Sequence, residues 1–287
     1  MSVAQIARGR VPHAAKRAAS RDWLVIGALA VLAVLTVGAV LGPWIAPYDP
    51  NQLYTGPING PSSLAHLFGT DDLGRDIFSR VLVGAQTSLF APVFVVILST
   101  ALGVSVAIVG AWFGGWVSGG IARIVDVIFA IPGLVIAVLA VTIFGKGLAA
   151  PIVALSIAYI PVVARLTQTA ASREIGRPFM AALRVQGVSG PAICFRHLVP
   201  ALVPLVAAQM AVGFGYAMLD LAAISFLGLG QQPPAPDWGS MIASGQPGIL
   251  AGAPEQSVYP SILVVVTVLA VGIVGARVTV WAEEKEQ

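Results

Sequence analysis

The chain has 287 residues, of which 57% are hydrophobic and only 10% charged, with a net charge of +3. An ordinary globular domain carries about 25% charged residues, so a soluble fold of this size lacks the charge to cover its surface, and disorder is excluded by the same numbers. One cysteine and no glycine repeat exclude a disulfide scaffold and a collagen, which leaves a polytopic membrane protein and no nucleic-acid partner.

Residues 1–22 are basic and cytoplasmic by this reading. The charge-free run Trp23 to Tyr48 follows, and a span over 23–45 satisfies the need for about 20 apolar residues. It is too long for the apolar part of a secretory signal and lacks an A-x-A-like cleavage site, so it reads as a retained helix. Residues 46–87 form an extracytoplasmic loop. Its stretch Leu73 to Leu89 carries Arg75, Asp76, Ser79, Arg80 and Gln86 among Ile77, Phe78, Val81 and Leu82. That spacing predicts an amphipathic helix suited to the outer interface. A scaffold with internal ion pairs is the plainer alternative to direct substrate contact.

Val81 to Ala122 is charge-free over 42 residues. As one helix it would reach roughly 63 Å, twice a bilayer core, so it must fold back. Gly110, Gly114, Gly115, Gly119 and Gly120 mark the turn. Further spans are predicted near 88–112, 120–144, 148–169, 201–226 and 258–280, with a tail at 282–287. Pro132 and Pro161 are expected to kink the third and fourth spans.

With both termini cytoplasmic, thirteen of the sixteen Lys and Arg residues lie inside and three, Arg75, Arg80 and Lys146, outside. The acids split six and six, with Asp220 within a span. This is the asymmetry of the positive-inside rule. Arg123 and Asp126, three apart, are expected to pair on one helix face. Arg165 is expected to snorkel to the inner interface. Asp220 is a candidate pore carboxylate or a structural hydrogen bond to a neighbouring helix. His13, His66 and His197 are far apart, so no metal cluster is expected.

The long inner loop 170–200 holds its own start and stop signals. Pro178 fits the first turn of a short helix, and Gly187 fits the left-handed position after its end. Ser189 or Gly190 can cap a second helix, with Pro191 near its first position. Such a helix either lies on lipid headgroups or docks into a partner protein.

At this loop the sequence resembles the permeases of binding-protein-dependent ABC importers. Ala181-Ala182-Leu183-Arg184-x-x-Gly187, nine further residues, then His197-Leu198-Val199-Pro200 resembles their EAA loop. Ala181 stands where the family has Glu. The segment His66 to Leu89, with Gly69, Thr70, Asp71, Gly74, Arg75 and Asp76, resembles the signature of the dipeptide/oligopeptide/nickel subfamily, C-type. So does Ser225-Phe226-Leu227-Gly228-Leu229-Gly230 with the Pro-rich run to Trp238-Gly239. Where that subfamily has Glu in the fifth span this chain has Leu221, with Asp220 one residue earlier.

The resemblance implies an all-α integral membrane protein of six transmembrane helices, the type I ABC importer (MetI-like) permease fold, with a permease core over 88–281. It implies a peptide-importing half-pore, with nickel or haem as alternative cargo. The implied partners are a homologous B-type permease in a heterodimer, two ATPase subunits and an extracytoplasmic binding protein, with membrane lipid around them. Pro178, Phe179, Ala181, Ala182, Arg184, Gly187 and Ser189 would couple to an ATPase. This chain has no G-x-x-x-x-G-K-[ST], so no cofactor is expected on it, and ATP and Mg would sit on the partner ATPases. An ion-coupled transporter or channel is the competing class; it would show several intramembrane charges and an internal repeat.

Overall fold

The computed structural model describes the backbone of residues 12–285 and the side chains of residues 23–278. The basic residues Arg8 and Arg10 lie outside it, as do the side chains of Lys16, Arg17, Arg21 and Lys285. All regular elements among the described residues are helices, as the apolar runs require, because a lone span in lipid must satisfy its own backbone.

Helix α1 (Pro12–Ile45) is followed by an irregular outer segment and then α2 (Ile77–Phe113), 37 residues without a break. At 1.5 Å per residue α2 is about 55 Å long and overhangs the bilayer core. It therefore absorbs the stretch expected to lie apart along the outer interface. The first turns of α2 continue unbroken into the rest of the helix, and Arg80 is 5% exposed. Within this region Arg75 pairs with Asp71, and Arg80 lies 3.7 Å from the same carboxylate.

The chain turns at Gly114, within the glycine cluster, and enters α3 (Gly115–Phe129). A second helix, α4 (Gly133–Phe144), is bent from α3 by 76°. Pro132 sits at the break. A residue before proline is disfavoured in the α conformation, so Ile131 leaves the helix. The third span is thus a broken pair rather than one kinked helix. Helix α5 (Ala149–Ile175), by contrast, continues through Pro161.

After α6 (Pro178–Val185) and α7 (Gly190–Ile193), a π turn over Cys194–Leu198 leads into α8 (Val199–Phe226). Pro200 has no N–H and its ring crowds the carbonyl four residues back. The widened turn accommodates it, with Val199 N–H donating to Cys194 O. The helix that carries the fifth span therefore runs on from Gly190 to Phe226. Two short helices, α9 (Trp238–Ser244) and α10 (Gln246–Leu250), precede α11 (Glu255–Lys285). Among the described residues five helices are long and apolar enough to cross a membrane, and the bent α3–α4 pair, counted as one span, makes six.

The core sits where α2, α4, α5 and α8 meet, around Val95, Val96, Leu155, Ala217, Leu221 and Ile224. Close approach of α2 to α5 depends on Gly103. A Cβ there would lie 2.7 Å from Val163 Cβ.

Candidate functional site

One end of the bundle gathers the segments expected outside. Asp71, fully buried, accepts from the Leu73 and Arg75 amides at 2.9 Å and from Arg75 Nε at 2.6 Å. Asp76 caps α2, accepting from Ser79 N at 2.8 Å and Ser79 Oγ at 2.7 Å, while its Oδ1 meets His66 Nδ1 at 2.9 Å. Arg80 donates to Pro50 O at 2.7 Å. Gly69 and Gly74 both have positive φ, and a Cβ at Gly69 would lie 2.4 Å from Gly60 O. Thr70 bridges to Asp76. The six signature residues therefore form one buried knot that fastens the loop before α2 to the first turn of that helix. Trp238, 1% exposed, adds α9 by donating from Nε1 to Val81 O at 3.0 Å. The faces left to solvent here belong to others, such as Leu64 and Leu250.

The opposite end holds the short helix α6, expected inside. Pro178 occupies the first turn of α6. Gly187 N–H donates to Arg184 O and Val188 N–H to Leu183 O, both at 3.1 Å, with Gly187 at φ 79°. This pair of bonds is a Schellman motif. The inward face of α6 is Met180, which packs with Ala171, Ile193, Leu198 and Leu202. Arg184 lies over the Trp112 ring at 5.3 Å, which ties α6 to the C-terminal end of α2. Phe179, Ala181, Ala182 and Val185 are exposed, Val185 by 90%. Ser189 stands at the cap of α7 without a side-chain cap bond. The predicted inner residues are thus brought together on one helical hairpin with an uncovered apolar face.

Asp126 does not pair with Arg123. It accepts from Arg165 of α5, which also lies 4.7 Å from the centre of the Phe129 ring. Arg165 therefore joins α3 to α5 rather than reaching freely to the interface. The spacing of Arg123 and Asp126 permitted a local pair, but the partner across the helix gap holds the carboxylate.

Between the two ends, Asp220 of α8 accepts from Tyr159 of α5 at 2.7 Å. Both line a cavity of about 600 Å³ bounded by α2, α5, α8 and α11. The sequence singled out Asp220 and missed Gln209, which lines the same cavity. Its only signal was a lone amide in a charge-free run. Among the described residues no group of His, Cys, Asp and Glu could hold a metal.

Residues 99–285 match the family described as binding-protein-dependent transport system inner membrane component. The chain belongs to this family of permeases. Residues 15–61 further match the N-terminal transmembrane domain of oligopeptide transport permease C. The permease is 39% identical, over 89% of its length and 84% of theirs, to glutathione transport system permease proteins GsiD of Escherichia coli O6:K15:H31 and Shigella boydii serotype 4. Its fold matches a chain of the inward-facing MetNI methionine ABC transporter with a TM-score of 0.57 at 19% identity, covering 72% of this chain and 97% of that one. The permease is accordingly a transport subunit of an ABC importer in the cytoplasmic membrane, with ATP hydrolysis on separate subunits. This membership displaces the secondary-transporter reading.

Proposed function

We propose that this permease forms half of the translocation pathway for short peptides, of the size of a dipeptide or glutathione. The observation that carries the reading is its 39% identity, over 89% of the chain, to glutathione permeases. Its partner is a homologous B-type permease, and two ATPases bind below with ATP and Mg on them. A binding protein delivers cargo to the outer face. Both termini are cytoplasmic, in line with thirteen basic residues on that side against three outside.

Pro178, Phe179, Ala181, Ala182, Arg184, Gly187 and Ser189 serve the ATPase contact. The exposed apolar face of α6 supports this, since a helix held by one buried methionine has a second face free to bury. Ala181, in place of the family's Glu, makes that contact apolar rather than charge-assisted. ATPase closure would move α6, and through Met180 and Arg184 the inner ends of α5, α8 and α2.

The test is uptake by the complete complex in proteoliposomes, supplied with its binding protein. ATP-dependent accumulation of glutathione or a dipeptide is expected. Accumulation of neither, or transport by this chain alone, would overturn the reading.

A further inference from the structure

The cavity bounded by α2, α5, α8 and α11 lies open along one side, where Tyr216 and Val212 are exposed, and is mostly apolar, yet α8 lends it a line of polar residues. Gln209, Tyr216 and Asp220 follow one another at seven and four residues, which places them on one face of the helix. Asp220 lies six residues from the outer end of α8, and Gln209 is about 16 Å deeper along the axis. Tyr159 engages one oxygen of Asp220, and no described donor reaches the other.

Gln209 is the less expected of the two. Its Nε2 and Oε1 are both buried, and neither has a hydrogen-bond partner. A polar group buried without a partner is destabilising, more so at membrane depth. A carboxamide offers donors and an acceptor side by side, which is the complement of a peptide group. A carboxylate with one open oxygen is the complement of an ammonium.

We propose that Asp220 and Gln209 are two successive cargo contacts along the pathway. Asp220, with Tyr159, receives the protonated amino end of a peptide near the outer side. Gln209, whose amide is closed off in this state, then turns into the cavity to receive a backbone amide deeper in. An extended chain of about four or five residues would touch both at once, and a shorter one passes from the first to the second. This rests on the peptide reading above and adds the groups of the cargo that are recognised.

The test uses Gln209→Met, Asp220→Asn and Asp220→Glu in the complete complex, with uptake of a dipeptide and of glutathione measured beside the thermal midpoint. Methionine keeps the volume and removes only an unpartnered amide, so Gln209→Met should leave the midpoint equal or higher. Its uptake should fall about tenfold, the size of effect expected from one lost charged or multiple hydrogen bond. Asp220→Asn should lose uptake similarly at an unchanged midpoint, and Asp220→Glu should restore most of it. Unchanged uptake in Gln209→Met or Asp220→Asn overturns that contact. A fall in midpoint together with lost assembly also overturns it, because the group then bonds the partner permease. If the wild-type complex accumulates neither peptide, the peptide reading itself fails and takes this inference with it.

Discussion

Asp237 shows how a single side chain is set by its surroundings. It is 3% exposed and caps α9, accepting from Gly239 N at 2.9 Å and Ser240 N at 3.2 Å. Burial pushes its carboxyl above the ordinary 3.8, and the bonds from Ser240 and Gly239 offset only part of that. The folded state then holds a proton more readily than the unfolded one. Stability is therefore greatest below the ordinary value and is lost as pH rises through the raised one. Asparagine keeps the cap and carries no charge. The thermal midpoint of the wild type should fall relative to Asp237→Asn as pH is raised from about 4 to neutrality. A constant difference between the two over that range would contradict the assignment. Nothing in the sequence marks this residue, since an aspartate before Trp238 in a Pro-rich loop also suits an exposed turn. Asp126 is marked, but with the wrong partner. Spacing along one helix can name a neighbour, but only the packing of α3 against α5 reveals that Arg165 takes the carboxylate.

The short inner helix was legible as an element because its signals are local. Pro178 needs no N–H partner in the first turn, and Gly187 supplies a positive φ, so both ends can be read without knowing the fold. The knot at the outer end was legible only as a motif. Its stretch was expected to face headgroups, because helical spacing shows which residues share a face but not what covers it. The broken third span failed for a related reason. A proline kinks or breaks a helix according to what packs beside it, and α5 continues through Pro161 where α3 stops before Pro132. Gly187 gives the sharpest test at this scale. A Cβ there would meet nothing within 4 Å, so the cost of a substitution is conformational alone. Gly187→Ala should weaken the helix end by about 1–2 kcal/mol, and a β-branched residue by more. Gly187→Val should therefore lower the amount of peptide moved per ATP hydrolysed while the subunit still inserts and assembles. Gly187→Asn, which tolerates the left-handed region, should stay near wild type. An unchanged ratio in the valine variant would remove α6 from the coupling pathway.

Across the whole molecule, the connections sort to two ends. One end joins the loop before α2 to the segments after α4 and α8: Phe68 stacks on Tyr259 at 4.0 Å, and Gly147 N–H donates to Leu229 O at 3.3 Å. The other end joins Trp112 to the α6–α7 hairpin. The basic residues of the connecting segments divide the same way, Arg75, Arg80 and Lys146 at the first end and Arg173, Arg177, Arg184 and Arg196 at the second. The geometry fixes which loops share a side, and the positive-inside rule says which side that is. Single cysteines in a Cys194→Ser background read the result directly. Leu64 and Leu250 are 100% and 93% exposed at the first end, and Val185 is 90% exposed at the second. In intact cells whose outer face is open to a membrane-impermeant maleimide, Leu64→Cys and Leu250→Cys should label. Val185→Cys should label only after the inner face is opened. The reverse pattern would invert the subunit and place α6 where no ATPase can reach it. Labelling of Leu64→Cys and Val185→Cys from the same side would go further, because an odd number of crossings separates those positions in this fold.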